Sequence, residues 1–344
     1  MHSVLKTVSA ISPTAEKHLA LLALGGTIAG VSKSSTEYAG YTAAVTDISD
    51  IMSAVPALSK VAHFKAQQLL QVASQDLTQQ HLLVLAREVN RLLSCEGCMG
   101  VIITQGTNTL EETAFFLNLV VKSPKPVVVT GAMRPATSLS ADGPMNLYRA
   151  AVVAASEQAW RRGVMVVMND QILGARDVHK TDTMTVDSFK SPLFGVMGLV
   201  LDDDCRFYRG PIRRHTEQSD FSVDAIDVLP RVDIVYGYQD DDRTQLDACI
   251  AAGAKGIVLA GAGTASISSR VLPSVIDAVR KGIAVVRVSR SSMGVVGQNM
   301  EFDDRSNGTL AGDTLNAPKA RILLMLALTQ WTEHAKLQQC FDRY

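Results

Sequence analysis

The chain has 344 residues, 47% of them hydrophobic, and 33 basic against 34 acidic side chains for a net charge of −1. This is enough for two domains or one large one with a sizeable core, and the charge balance, with no basic cluster interleaved with aromatics, gives no electrostatic case for nucleic acid or a membrane surface as partner. The longest apolar runs fall far short of the roughly 20 residues that span a bilayer, and residues 7–17 lack the apolar core of a secretory leader; a cytoplasmic chain is expected, or a periplasmic one if a native signal has been removed.

Apolar runs rich in valine and isoleucine recur at 18–24, 99–104, 126–130, 164–168, 232–236, 256–260 and 283–288, most of them bounded by Gly, Pro or Asn. Helical patterns lie between many of them, as at 78–93 and 110–121. Continuous apolar strands alternating with helices predict an α/β fold whose largely parallel sheet is covered on both faces. Thr109-Leu110-Glu111-Glu112 reads as a capping box that starts the second helix. The stretch 208–230 is polar and irregular and precedes a fresh series of strands. We read 1–212 as an N-terminal domain, 213–230 as a linker and 231–344 as a smaller C-terminal α/β domain.

Five cysteines (Cys95, Cys98, Cys205, Cys249, Cys340) are odd in number and sparse, which fits a reducing compartment. Cys95-Glu96-Gly97-Cys98 has no second cysteine or histidine pair, so it reads as thiols at a helix end, not as a zinc or redox site.

Two hydroxyls end predicted strands in glycine-loosened loops: Thr27 in Leu24-Gly25-Gly26-Thr27-Ile28-Ala29-Gly30, and Thr107 in Thr104-Gln105-Gly106-Thr107-Asn108-Thr109. In parallel α/β sheets ligands bind at the carboxyl ends of strands. Thr107 and Asn108 also precede a helix N-terminus, whose N–H groups and dipole favour an anion or a developing oxyanion. A threonine hydroxyl attacks an amide only when a base takes its proton or a neighbour holds it. Tyr41, in a Gly/Ala/Thr-rich segment that could form a lid, and Lys180, in Arg176-Asp177-Val178-His179-Lys180-Thr181, are the candidates for that work. Taken one by one, a Thr in a turn, a Lys, a Tyr or the neighbouring His179 is more often structural or solvent-facing.

Five blocks in order, over nearly the whole chain from about residue 18, resemble the bacterial type II-like L-asparaginases and the similar glutaminase-asparaginases. They are Leu24 to Gly30, Ser74-Gln75-Asp76, Gln105-Gly106-Thr107-Asn108-Thr109 followed by Glu111, the long run from Gly131 to Asn146, and Leu315 to Arg321, with Lys180 between the last two. The resemblance implies a two-domain α/β fold, a homotetramer built from dimers with sites between subunits, a small-molecule amide substrate, and no metal or cofactor. It implies that Thr27 forms an acyl-enzyme, that Tyr41 (or Tyr38, since the lid is the worst-matched segment) activates it, and that Thr107 and Lys180 handle protons. Ser74 and Gln75 would hold the substrate's α-carboxylate, and Glu301 of a neighbouring subunit would approach its α-ammonium.

The chain departs from the family at three places. The family's His-Gly-Thr-Asp-Thr is here Gln105 to Thr109, so Asn108 replaces an aspartate that meets the ammonium and supports the lysine. Asn keeps the shape and one acceptor but not the charge. Ser266 stands where a family asparagine reaches across the interface. Ser123 occupies the place of one partner of a disulfide found in periplasmic members. Two readings of function follow: an asparaginase cleaving asparagine, with glutamine not separable from it, or an amidohydrolase for a carboxylate-bearing amide without a free α-ammonium. A non-catalytic sensor of small acids is the contrasting class, opposed by the joint presence of Thr27, Tyr41, Thr107 and Lys180.

Overall fold

Runs that are apolar on both faces become the inner strands of two sheets in the computed structural model, which describes residues 16–36, 42 and 45–344. In chain order the strands are β1 (His18–Ala23), β2 (Phe64–Gln68), β3 (Cys98–Thr104), β4 (Val127–Thr130), β5 (Val164–Met168), β6 (Gln171–Gly174), β7 (His179–Lys180), β8 (Phe189–Lys190), β9 (Gly198–Leu201), β10 (Asp204–Phe207), β11 (Val232–Tyr236), β12 (Gly256–Gly261), β13 (Ala284–Ser289) and β14 (Leu310–Ala311). The larger sheet has eight strands in the order β10-β9-β6-β5-β4-β3-β1-β2. From β2 to β5 its pairings are parallel; from β5 to β10 they are antiparallel. The smaller sheet, β11-β12-β13-β14, is parallel throughout.

All six residues of β1 are buried, which is why its sequence shows no alternation. Its neighbour β2 is the edge strand, Phe-Lys-Ala-Gln-Gln, with an exposed middle. That polarity hides it from a hydrophobic reading while discouraging edge-to-edge pairing.

The order β2-β1-β3 reverses the direction in which the chain lays down strands. After β1 it steps outward to β2, then returns past β1 to place β3 on the other side. Such a switch point opens a crevice at the carboxyl ends of the two strands. Residues 24–30 leave β1 there, and residues 105–109 leave β3 there.

Behind the crevice, the helix Leu110–Val120 is buried over nearly its whole length. It packs against the helix Ala317–Ala327, which also covers β11 and β12 of the smaller sheet. One hydrophobic cluster therefore runs from Leu22, Val101 and Val129 through Phe116 to Val258, Leu323 and Met325. The connecting segment is irregular, but Phe221 and Val223 are sunk into that same cluster.

The helix that begins at Leu110 is not started by the expected capping box. Thr109 makes no side-chain cap; its hydroxyl donates to the Ser74 carbonyl at 2.8 Å and accepts from Gln105 Nε2 at 3.4 Å. Burial raises the pKa of Glu112, and the opposing cations, Arg321 and Lys319, belong to the other domain. Thr109 is drawn to a tertiary partner instead. A capping box does form at the other helix, Gln79–Leu93, where Thr78 exchanges bonds with His81.

In the smaller domain Arg287 is buried and clamps Asp304 through two bonds of 2.7 Å. A third arm of its guanidinium donates to the carbonyls of Thr264, at 3.2 Å, and Ala265, at 3.0 Å. It thus ties the loop at 264–266 to the loop at 299–304. Removing one member of a buried pair strands the other charge, so Arg287→Met should cost about 3–5 kcal/mol in urea unfolding. Arg287→Met/Asp304→Leu should recover part of that loss, and a double variant no better than the single one would contradict this account.

Candidate active site

Close backbone approach brings the two threonine loops together. Gly25 and Gly26 both adopt left-handed φ, +98° and +91°. A Cβ on Gly26 would lie 2.1 Å from the Gly106 nitrogen, so no other residue fits. Thr27 follows Gly26 at the start of a short 3-10 turn, Thr27–Ala29, and Thr107 follows Gly106. Both threonines are 5% exposed. A Cβ on Gly106 would in turn meet the Ser74 hydroxyl at 2.9 Å, so the turn Ser74–Asp76 closes on the same point.

A connected hydrogen-bond chain crosses this point. Lys180 Nζ donates to Thr107 Oγ1 at 2.9 Å and to Asn108 Oδ1 at 3.0 Å. The Asn108 backbone N–H donates to Ser74 Oγ at 3.2 Å, and its side-chain amide donates to Gln75 Oε1 at 3.3 Å. Lysine has only donors, so Asn108 must turn its single acceptor toward it. Its NH2 then faces Gln75.

Lys180 sits on β7, a two-residue strand paired with β8. What fixes so short a strand is a set of polar contacts from two helices. Glu111 accepts the Lys180 backbone N–H at 3.2 Å and the Asn316 side-chain amide at 3.2 Å. Asn316 also contacts His179 Nδ1 at 3.1 Å. Lys319, fully buried, donates Nζ to the carbonyls of Arg176, at 2.9 Å, and Val178. None of these support roles was assigned in the sequence reading. The signal present was Asn316-Ala317-Pro318, an N-cap followed by proline in the first turn.

Burial lowers the pKa of Lys180, and Glu111 opposes that shift. Asn108 adds no anion, so the ammonium is less stabilised than beside a carboxylate. For His179, burial and then the charges of Lys319 and Arg176 push the pKa down to about 3. It is neutral at ordinary pH, with Nδ1 accepting from Asn316 and so already in use.

The expected residues fall into three groups. Thr27, Ser74, Gln75, Thr107, Asn108 and Lys180 gather at the switch point. Ser266 and Glu301 gather on the smaller domain, where Ser266 Oγ donates to Glu301 Oε2 at 3.2 Å. Thr264 donates to the same oxygen, and these two hydroxyls, Thr264 first, hold the Glu301 carboxyl below its ordinary pKa. Thr264 had not been singled out. Tyr41 and Tyr38 lie outside the described residues. Cys95 is exposed and Cys98 buried, and both are free thiols.

A threonine pair and a half-buried lysine at the switch point of a parallel sheet are the parts of an acyl-transferring hydrolase. Comparison with known proteins makes the assignment. Residues 18–213 match the model "Asparaginase, N-terminal", and residues 231–341 match "Glutaminase/Asparaginase C-terminal domain". The chain is 45% identical to L-asparaginase 2 of Bacillus subtilis over 98% of its own length and 90% of that protein's. It is 42% identical to the glutaminase-asparaginase of Pseudomonas fluorescens, covering 95% of this chain and 90% of that one. A crystal structure of a probable cytoplasmic L-asparaginase from Campylobacter jejuni superposes with a TM-score of 0.93 at 42% identity, over 96% of this chain and all of the other. The protein is an amidohydrolase. It belongs to the asparaginase/glutaminase family.

Two tests probe this framework. Gly26→Ala places a methyl group against the Gly106 backbone at a left-handed φ, so it should cost at least about 2 kcal/mol in urea unfolding; a neutral result would mean the loops can separate freely. The second concerns Lys319, whose pKa burial lowers from 10.5 to about 8. Between those values the unfolded chain holds this proton and the folded chain does not, so Lys319 adds stability as pH rises from about 8 toward 10.5. Urea midpoints at pH 7 and pH 10 should shift in favour of wild type relative to Lys319→Met at the higher pH. A difference independent of pH would show that Lys319 keeps one protonation state throughout.

Proposed function

We propose that this protein hydrolyses the side-chain amide of asparagine, and of glutamine to an extent the site does not separate, to the acid and ammonia. The observation that carries this reading is the Lys180–Thr107 bond set against the Gly26–Thr27 turn. The Thr27 hydroxyl attacks the carboxamide carbon, the C–N bond breaks, and the nitrogen leaves as ammonia with a proton. Thr107 and Lys180 receive the hydroxyl proton and return one to the leaving nitrogen. Water then attacks the acyl-Thr27 ester, frees the acid and restores the hydroxyl. The N-terminus of the helix at Leu110 supplies a positive end to the developing oxyanion. Ser74 and Gln75 seat the substrate carboxylate, and Tyr41 or Tyr38 assists Thr27.

The reading extends to assembly and location. Ser266 and Glu301 serve the site of a second copy within a tetramer, a role supported by their exposed, mutually bonded placement on the smaller domain. A cytoplasmic location is supported by the five free cysteines.

A second reading is favoured by one detail. Asn108 turns its only side-chain acceptor atom to Lys180 and its NH2 to Gln75, so it offers a substrate ammonium no charge and only the second lone pair of an oxygen already bonded. A carboxylate-bearing amide without a free α-ammonium would forgo no charge pairing at this position.

Ammonia release should vanish in Thr27→Ala, and survival of turnover there would overturn the nucleophile assignment. With asparagine and succinamic acid compared side by side, Asn108→Asp should raise kcat/KM for asparagine about three- to tenfold, the difference between a charge-assisted and a neutral hydrogen bond. Equal values would mean that charge at position 108 is not a determinant. Faster turnover of succinamic acid by wild type would select the second reading.

A further inference from the structure

A cavity of about 530 Å³ opens where the two domains meet, beside the stretch 174–177 that leads into β7. Its walls come from β6, the helix Leu110–Val120, residues 209–214 and residues 313–314; neither threonine of the proposed mechanism lines it, nor does Lys180. The volume is that of a small-molecule site. Much of the wall is apolar, from Phe115, Val164, Ala175, Phe194, Met197 and Pro211.

The charged part of the wall is unbalanced. Six arginines line the wall with Asp177, Asp313 and Asp342, and Asp220 beside it lies 3.9 Å from Arg343. Arg176 and Arg213 share Asp313, at 3.1 and 2.8 Å, and Arg214 pairs with Asp220 at 3.1 Å. Arg162 and Arg209 have only neutral partners among the described residues. Arg162 donates to the carbonyls of Gln158 and Arg209 and lies 4.2 Å above the Phe207 ring. Arg209 donates to the carbonyls of Val196, at 2.8 Å, and Gly195. These bonds fix two guanidinium groups of the cavity lining without cancelling their charge. Their planar forks suit a carboxylate, and partial exclusion of water strengthens the attraction.

We infer that this cavity is an effector site for a small organic anion with an apolar body, of the aryl-alkyl carboxylate class. Its effect reaches Lys180 through the wall itself. Arg176 and Asp177 line the cavity, and the same short stretch ends at Lys180. Lys319 grips that stretch at the carbonyls of Arg176 and Val178. On the opposite wall, Thr314 stands two residues before Asn316, which binds both Glu111 and His179. A ligand that draws in Arg209 and Arg162 presses on the segment that sets the position of the Lys180 ammonium.

The test uses 3-phenylpropionate as anionic probe and 3-phenylpropan-1-ol as its neutral counterpart, titrated by calorimetry into the full chain, so that binding is read without turnover. The carboxylate should bind at least about tenfold tighter than the alcohol. Arg209→Gln and Arg162→Gln should each weaken it about tenfold, Arg209→Lys less so, while unfolding temperatures stay near that of wild type. Phe194→Ala, at the exposed edge of the apolar wall, should also weaken binding and guards against a folding artefact in the arginine variants. In ammonia-release assays on asparagine, saturating carboxylate should change kcat and leave KM in place. Equal binding of acid and alcohol, full binding in both glutamine variants, or a rise in KM at constant kcat would overturn the proposal, the last because it places the probe in the active site.

Discussion

The contact between Gly26 and Gly106 is the constraint on which the site depends. Two loops that leave adjacent strands run backbone against backbone, closer than any side chain permits. Each presents a threonine at its next residue. The switch in strand order brings the loops to one crevice; the missing Cβ atoms bring them together within it. Ser74 closes on Gly106 from a third direction, so the carboxylate seat of the proposed mechanism is indexed to the same backbone. Nothing in this arrangement relies on a long side chain finding its rotamer.

Lys180 is placed by a different principle. Its strand is too short to be held by sheet pairing alone. Carboxylate, amide and ammonium groups of Glu111, Asn316 and Lys319 hold it, and each comes from a helix that the shared hydrophobic core has already fixed. Burying Lys319 costs solvation, which its two carbonyl partners and nearby carboxylates offset only in part. The same low-polarity surroundings that lower the pKa of Lys180 suit it to the proton transfer proposed for it. With Asn108 in place of an anion, Glu111 is the principal negative charge acting on that ammonium.

Much of this was legible in the sequence, and the reasons separate cleanly. The inner parallel strands are buried on both sides, so an apolar run of valine and isoleucine marks them to within a residue or two. Both threonine turns follow such runs, and that alone placed Thr27 and Thr107 at strand ends. The edge strand β2 and the antiparallel extension β6-β9-β10 were not foreseen. Edge strands carry polar residues, and short antiparallel strands leave too few positions for a pattern. The capping box at Thr109 was misread because a local motif cannot reveal that Ser74, distant in sequence, competes for the hydroxyl. Convergence of Lys180 on Thr107 came from resemblance, since spacing along a chain carries no distance across a fold. Thr264, Glu111 and Arg287 stayed silent for the same reason: each acts through a contact between residues far apart along the chain.

The helix Ala317–Ala327 carries one more implication. Its apolar face belongs to the smaller sheet, yet its first turn reaches into the larger domain and secures the strand that bears Lys180. The larger domain therefore holds the proposed reacting groups while owning only part of the means to aim them. Exchanging the smaller domain for that of a distant homologue would leave every proposed reacting side chain of the larger domain in the sequence and still mistune the lysine, because aim here is the shared property of two halves that must be inherited together.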